Sequence, residues 1–267
     1  MDIAFLVFLG IVGGLIAGLL GLGGGIFYIL IFPYLIEAKG FPTEIIPQLV
    51  IANSLFGIMA ASGLSIIGYK RKGDLPIREI IIISLSSALV AWLSINLIVL
   101  QPWFSKTVFN IFIILLMLYI LLKMYFELKL EKKEDGAITR TQGILSGGLA
   151  GFVSALSGLG GGVIVIPLLN QKFKVPLVKA KTISLAMILV SSMTMSINNL
   201  IAQTSFINEN VKTIGYIIPS CIIPITIGVL IGSPLGVKWS TSLKRKYLDL
   251  AFMLFVLIVL IEKTNSL

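Results

Sequence analysis

The sequence has no histidine at all and only one cysteine, Cys221, among its 267 residues. Histidine is the commonest general base in enzymes and the commonest metal ligand, so its absence argues against hydrolytic catalysis. A single cysteine excludes a disulfide within the chain and leaves no thiolate cluster for a metal. We therefore predict a protein that is not an enzyme and that uses no cofactor.

Charged residues are also scarce, at 12% of the chain, whereas 57% of the residues are apolar. Soluble domains carry about twice that share of charge. No charged side chain occurs in residues 3–36 or 141–171, and further apolar runs long enough to cross a bilayer follow each of these stretches. The predicted fold class is an all-α polytopic membrane protein, with residues 1–267 forming a single transmembrane domain in the lipid bilayer.

The charges that are present favour the basic side, with 21 lysines and arginines against 12 acidic residues and a net charge of +9. A basic protein can bind nucleic acid, but here the basic residues form short clusters between apolar runs. That is the distribution of cytoplasmic loops in membrane proteins. We therefore predict no nucleic-acid partner and a location in the cell membrane, plasma or inner.

One short string occurs twice: GLGGG stands at Gly21–Gly25 and again at Gly158–Gly162. Aligning the copies pairs residues 10–29 with residues 147–166 without a gap, and nine of those twenty positions are identical. Apolar composition alone gives chance matches of leucine and isoleucine, but not of so many glycines. We infer an internal duplication with a first repeat at 1–126, a cytoplasmic linker at 127–140 and a second repeat at 141–267.

The basic residues also indicate how each repeat crosses the membrane. If the segment around each GLGGG crosses once, the lysines and arginines divide 11 to 10 between the two sides. If it turns back as a re-entrant hairpin, 17 of the 21 share one side, in the loops around 70–78, 123–140, 172–181 and 238–246. The positive-inside rule selects the hairpin. Each repeat then has one glycine-broken re-entrant hairpin and three transmembrane helices, so the two repeats are inverted and both termini lie outside.

The glycines of the two strings offer a way to bind an anion without a charged side chain. Glycine allows a helix to break inside the membrane, which frees backbone N–H groups at a positive helix end. The charge-free runs are too short for two full spans, so each hairpin is expected to hold two half-helices. The predicted substrate-binding glycines are Gly21, Gly23, Gly24, Gly25, Gly158, Gly160, Gly161 and Gly162. Close helix packing is the alternative, and it is favoured for the spaced glycines Gly14, Gly18, Gly147, Gly151, Gly228, Gly232 and Gly236.

Polar side chains in the span after each hairpin are further candidates for binding the substrate. Asn53 and Ser54 follow the first hairpin, and Ser184 occupies a similar place after the second. Amide and hydroxyl donors at these positions can complete the coordination of an anion's oxygen atoms. Hydrogen bonding between neighbouring helices is the alternative role for all three, and the sequence leaves it open.

Two longer strings carry a resemblance to a known family. GLLGLGGGIFYILIFP at residues 18–33 and SALSGLGGGVIVIPLL at residues 154–169 resemble the twin glycine motifs of the sulfite exporter TauE/SafE family. The string GSPLG from Gly232 to Gly236 is similar to that family's pattern as well, although the first repeat has no clear counterpart of it. The resemblance implies a permease for small sulfur-containing anions, such as sulfite, sulfonate or related organosulfur acids.

The functional prediction is therefore a permease for such an anion, and a channel or permease for another small solute is the alternative. No acidic residue falls in the middle of a predicted span, so the usual proton relay is missing. The negative interior of a cell drives an anion outward by about 2.3 kcal/mol per charge at 100 mV, which favours efflux. Uptake coupled to protons or sodium stays open, as does a homo-oligomeric state.

Overall fold

The computed structural model describes residues 2–70, 76–127, 136–204, 211–240, 242–243 and 245–266, and within these ranges the chain is helical and forms no β-sheet. Its ten α-helices are α1 (Ile3–Leu20), α2 (Gly25–Glu37), α3 (Ile46–Lys70), α4 (Ile77–Ser94), α5 (Lys106–Glu127), α6 (Arg140–Ser157), α7 (Gly162–Pro167), α8 (Leu177–Ile201), α9 (Pro219–Ser240) and α10 (Arg245–Asn265). A 3₁₀ turn at Thr43–Ile45 precedes α3. Short π-helical turns continue α4 over Ile95–Val99 and α7 over Leu168–Lys172.

Six helical stretches in the described ranges are long and apolar enough to cross a membrane: Ile3–Leu20, Thr43–Gly68, Ile77–Val99, Lys106–Lys123, Leu177–Ile201 and Pro219–Ser240. Large apolar side chains stay exposed on the outer faces of these helices, including Leu85, Leu115 and Leu230. A soluble protein rarely exposes apolar surface on this scale, whereas a membrane protein places it against lipid. The prediction of an all-α polytopic membrane protein is confirmed.

The two arms of each helical hairpin have unequal lengths, which differs from the predicted pair of half-helices. The first arms, α1 and α6, each contain 18 residues, whereas α2 contains 13 and α7 only six before its π-helical turn. At about 1.5 Å per residue, 18 residues extend about 27 Å, close to the thickness of a hydrocarbon core. Continuous packing of the first arms along neighbouring helices stabilises their full length.

The helix packing follows the division of the chain into two halves. Helix α1 packs along α9 and α6 packs along α4, while α3 and α8 pack against each other at the centre. Helix α3 also contacts α9, and α8 also contacts α4. The counterparts of α1, α3 and α4 in the second half are α6, α8 and α9. The pair α1–α9 therefore corresponds to α4–α6, and the pair α3–α9 corresponds to α4–α8. The central pair α3–α8 corresponds to itself.

Glycines bring the first arms close to their neighbours. A Cβ atom added at Gly10 would overlap the carbonyl group of Ile225 in α9, and one added at Gly232 would overlap the carbonyl group of Ile11 in α1. In the second half, a Cβ atom at Gly151 would overlap the carbonyl group of Ser87 in α4. Small residues at such spacings allow helix backbones to approach closely in membranes. The packing role predicted for the spaced glycines is confirmed.

Polar contacts identify which helix ends share each end of the bundle. At one end, the Lys179 ammonium lies 3.2 Å from the Glu79 carboxylate and joins the starts of α8 and α4. At the other, Lys106 lies 2.7 Å from Glu37, and the Tyr34 hydroxyl donates to Glu262 over 3.2 Å. We call these the Lys179 end and the Glu37 end. The start of α1 and the end of α10 both lie at the Glu37 end, and which end faces the cytoplasm stays a prediction.

Candidate functional site

The two GLGGG strings form turns of the same backbone shape between the arms of each hairpin. Gly21 ends α1 and Gly158 ends α6, both in the left-handed conformation, and Gly24 and Gly161 precede α2 and α7 in that conformation as well. In the two turns, φ angles between 70° and 84° occur at Gly21, Gly23, Gly24, Gly158, Gly160 and Gly161. Residues with a side chain avoid this region, so the turn requires glycine at three matching positions in each copy.

The two turns meet backbone to backbone inside the bundle. A Cβ atom at Gly25, the first residue of α2, would lie 2.6 Å from the Cα atom of Leu159 in the other turn. In the reciprocal contact, a Cβ atom at Gly162 would lie 3.2 Å from the Cα atom of Leu22. The structure thus brings together both sets of predicted glycines, although more than 130 residues separate them in the sequence.

Two isoleucines place this meeting point at mid-height of the bundle. Ile58 lies near the middle of α3 and Ile188 near the middle of α8. A Cβ atom at Gly23 would lie 2.6 Å from Ile58 Cγ2, and one at Gly160 would lie 3.1 Å from Ile188 Cγ2. Both isoleucines are fully buried. We call the region between these two side chains and the two turns the crossing point.

Four backbone N–H groups at the crossing point have no hydrogen-bond partner among the described residues. In the described part of the chain, no backbone carbonyl accepts a hydrogen bond from Gly23, Gly24, Gly160 or Gly161, and neither α2 nor α7 has a side-chain cap. All four glycines are buried. Buried N–H groups without partners are rare because each costs free energy comparable to a lost hydrogen bond. Their position beside two positive helix ends is what the binding of an anion requires.

The two predicted serines each contact the turn of the opposite half. The Ser184 hydroxyl lies 3.4 Å from the carbonyl oxygen of Gly21 and donates to it. Ser54 lies beside Gly158, where an added Cβ atom would be 3.4 Å from Ser54 Cβ. Both serines are fully buried, and Ser54 Oγ has no hydrogen-bond partner among the described residues. One hydroxyl from α3 and one from α8 therefore lie at the crossing point.

Asn53, the third predicted polar residue, is bonded to the loop before α9. Its side-chain NH₂ group donates to the carbonyl groups of Leu49, at 2.8 Å, and Tyr216, at 3.0 Å. Its side-chain oxygen accepts from the N–H group of Ile218 at 2.9 Å. The amide thus holds this loop against α3. Substrate binding by Asn53 stays a prediction, and it would require one of these bonds to break.

Lys181 is a residue of this region that the sequence reasoning missed, because it was counted among the charges of a loop. It lies in the second turn of α8 with only 7% of its surface exposed. Its ammonium group donates to Leu19 O at 3.0 Å and to Ser240 Oγ at 3.1 Å. A Cβ atom at Gly21 would lie 3.0 Å from Lys181 Cγ. The signal in the sequence was its spacing, three residues before Ser184.

The described residues offer no obvious place for a metal ion. No group of three or more histidine, cysteine, aspartate or glutamate side chains lies together in the ranges that the structure covers. Cys221 is buried and not in a disulfide. The donors at the crossing point are N–H and O–H groups, which suit an anion rather than a cation.

Comparison with known proteins identifies the family of this chain. Residues 6–262 match the family described as Sulfite exporter TauE/SafE. The chain is 28% identical over 246 residues to a probable membrane transporter protein of Methanocaldococcus jannaschii, covering 91% of this chain and 88% of the relative. It is also 28% identical over 218 residues to a probable membrane transporter protein of Bacillus subtilis, covering 76% and 80%. No solved structure matches the chain. A helical membrane bundle built around two glycine turns, and a family match over nearly the whole chain, show that this protein belongs to the sulfite exporter TauE/SafE family of membrane transporters.

Proposed function

We propose that this transporter is a permease for small sulfur-containing anions, such as sulfite, sulfonate or related organosulfur acids, and that it binds them at the crossing point. The observation that carries the proposal is the set of four buried N–H groups, two from each GLGGG turn, that have no carbonyl partner in the described part of the chain. Such groups at positive helix ends stabilise negative charge without a charged side chain.

The hydroxyl groups of Ser54 and Ser184 complete the proposed site. An anion such as sulfite presents several oxygen atoms that accept hydrogen bonds. Ser54 Oγ has no partner in the described residues, and the 3.4 Å bond from Ser184 to Gly21 O is long. Both hydroxyls can therefore turn to a substrate at little cost, because good O–H···O hydrogen bonds are shorter than about 3.0 Å.

We also propose that the two repeats, 1–126 and 141–267, insert in opposite orientations, with each glycine hairpin re-entering from its own side. The matched helix pairs of the two halves support this arrangement, as does the meeting of the turns at mid-height. The basic loops then lie in the cytoplasm and both termini outside the cell membrane. Residues 71–75 of one basic loop and 128–135 of the proposed linker lie outside the described residues.

The proposed direction is efflux. The described side chains that meet the two turns include no carboxylate that could relay a proton. The membrane potential alone drives a monovalent anion outward by about 2.3 kcal/mol at 100 mV. In proteoliposomes, sulfite efflux should therefore rise as the interior becomes more negative. A flux that ignores the potential but stops when a proton or sodium gradient is removed would show coupled uptake instead.

A flux panel tests the substrate class. Purified protein in vesicles should move sulfite, thiosulfate or methanesulfonate in preference to chloride, nitrate or lactate. If the protein is instead a permease for another solute, the flux of one of the control anions or of a neutral solute should exceed the flux of the sulfur anions. Protein-free vesicles provide the background leak, which matters for sulfite because its neutral acid form crosses lipid unaided.

A further inference from the structure

The two GLGGG turns differ in how the N–H group of their leucine is used. We call the turn after α1 the first turn and the turn after α6 the second turn. In the second turn, Leu159 N–H donates to the hydroxyl oxygen of Ser157 at 3.1 Å. In the first turn, Leu20 stands at the place that matches Ser157, and Leu22 N–H forms no hydrogen bond with a described residue. The leucine N–H group is thus occupied in the second turn and open in the first.

The Ser157 hydroxyl marks where an oxygen atom binds to a turn of this shape. Each leucine has a negative φ and stands between glycines of positive φ, and successive N–H groups in such turns form a concavity that binds anions. The 3.1 Å distance is that of an ordinary N–H···O hydrogen bond. Ser157 also donates its one proton to the carbonyl group of Val153, which holds the hydroxyl in place. Its oxygen thus occupies, in the second turn, the position that is left for a substrate oxygen in the first.

A second difference between the hairpins also favours the first turn. Tyr28 of α2 is only 2% exposed, and its hydroxyl oxygen has no hydrogen-bond partner among the described residues. The matching residue of α7 is Val165, whose side chain has no polar group. Buried hydroxyl groups normally have a partner in the protein or in a bound molecule. An open hydroxyl beside a proposed anion site is therefore a candidate ligand.

The ring of Tyr28 packs against residues that also contact the first turn. A Cβ atom added at Gly13 would lie 2.8 Å from the Tyr28 hydroxyl oxygen, and one added at Gly24 would lie 2.6 Å from the carbonyl oxygen of Gly13. The opposite edge of the ring would lie 3.1 Å from a Cβ atom at Gly57, the neighbour of Ile58 at the crossing point. Side chains in a helix lean towards its N-terminus, and for α2 that end is the first turn. The hydroxyl is thereby held beside the first turn.

We propose that the first turn is the stronger half of the anion site: Leu22 N–H and the Tyr28 hydroxyl bind the substrate there, and Ser157 closes the matching N–H group of the second turn. The inference rests on the proposed function, since it assumes that the anion binds between the two turns. A sulfite or sulfonate group has enough oxygen atoms to accept from the leucine N–H, the glycine N–H groups and the tyrosine hydroxyl together. Tyr28 is then a specificity-determining residue. Ser157 is a positioning residue, because it acts through Leu159 N–H and does not touch the substrate.

The first test changes residues 20 and 157 and measures the Kd of methanesulfonate with the purified full chain in detergent. Ser157→Ala opens Leu159 N–H and should lower the Kd roughly threefold, although the loss of two hydrogen bonds lowers the melting temperature. Leu20→Ser places a hydroxyl beside Leu22 N–H and should raise the Kd by a similar factor. Ser157→Thr keeps the hydroxyl and should bind as the unaltered protein does. A merely structural role for Ser157 predicts weaker or unchanged binding in Ser157→Ala, which would overturn the inference.

The second test removes the tyrosine hydroxyl. Tyr28→Phe keeps the ring and loses a hydroxyl without a partner in the described residues, so the melting temperature should not fall, while the Kd should rise roughly tenfold. Ser191→Ala is the control for Ser157→Ala: Ser191 is also fully buried and donates to a carbonyl group of its own helix, and its Kd should stay unchanged. An unchanged Kd in Tyr28→Phe, or in both Leu20→Ser and Ser157→Ala, would refute the inference. If the unaltered protein neither binds nor moves a sulfur anion, the proposed function has failed instead.

Discussion

The two glycine hairpins have the same backbone but different side chains around it. In the first, Tyr28 of α2 is fully buried and its ring occupies the space beside Gly13 and Gly57, where added Cβ atoms would lie 2.7 Å and 3.1 Å from ring carbons. In the second, the matching positions hold Val165, Ala150 and Met187. The first hairpin thus has one large side chain beside two glycines, whereas the matching positions of the second hold three side chains of smaller or intermediate size.

This comparison separates two kinds of constraint. The glycines of the two turns that adopt positive φ lie at matching positions, because residues with a side chain rarely adopt that backbone conformation. The side chains packed around them have diverged, because a core requires total volume and apolar character rather than particular residues. Lys181 in α8 stands at the position that matches Ile51 in α3, and this difference changes charge and not only volume. A difference between the halves that changes charge is therefore more informative about function than one that changes only the volume of a side chain.

The largest effect is expected from alanine at the last glycine with positive φ in each turn, which is Gly24 in the first and Gly161 in the second. Gly24→Ala and Gly161→Ala each force a side chain into the left-handed region, at about 1–2 kcal/mol, and into the carbonyl groups of Gly13 and Ala150. We expect sulfite flux to fall at least tenfold in either variant.

Gly40→Ala is the matched control for this prediction. Gly40 has a φ of 74°, between the 72° of Gly161 and the 77° of Gly24, but no atom lies within 4 Å of an added Cβ, so the substitution has a similar backbone cost away from the crossing point. Its flux should stay near that of the unaltered protein. Normal flux in Gly24→Ala would show that this turn does not need its shape for transport.

The next effect tests whether the hairpins differ only in how they fill space. Tyr28→Val leaves a cavity in the first hairpin and should destabilise the protein by roughly 2–4 kcal/mol. Adding Gly13→Ala and Gly57→Met gives the first hairpin the side chains of the second and should recover part of that loss. Thermal unfolding in detergent measures both. If the triple variant is less stable than Tyr28→Val alone, the volumes are not interchangeable between the halves.

A smaller difference is expected between Gly25→Ala and Gly162→Ala. A methyl group at Gly25 meets the backbone of Leu159 at 2.6 Å, which cannot move without shifting the whole turn. A methyl group at Gly162 meets mainly side-chain ends, Ser184 Oγ and Ile188 Cδ1, both at 2.8 Å. Gly25→Ala should therefore lose more flux and more thermal stability than Gly162→Ala. The reverse order would mean that the second turn is the less adaptable one.

The smallest effect concerns the two serines. Ser184→Ala removes a hydrogen bond worth about 0.6 kcal/mol in a membrane protein, whereas Ser54→Ala removes a buried hydroxyl without a partner in the described residues and should not destabilise. Both variants should nevertheless raise the KM for sulfite by a few-fold if the hydroxyls bind it. Unchanged KM in both would leave the backbone N–H groups as the proposed ligands and exclude the hydroxyls.

Some of the site could be predicted because it depends on residues close together in the sequence. Glycine strings that break a helix, and serines in the span that follows, are visible in one reading of the chain. The role of Asn53 was not visible, because its partners Tyr216 and Ile218 lie more than 160 residues away. The burial of Lys181 was hidden for the same reason. Its spacing from Ser184 indicates a helix face, but only packing against α1 and α9 shows what that face contacts.

The sequence by itself determined the membrane class, the repetition of the GLGGG string and the positions where the helices break. These are local properties, since apolar runs cannot be left in water and only glycine adopts the left-handed turn without strain. Tertiary structure alone decided that each serine meets the turn of the opposite half and that the first arms span 18 residues. It also decided that one lysine lies buried beside Gly21. The physical reason is that a side chain's neighbours in a helical bundle come from other helices, whose approach depends on packing along their whole length.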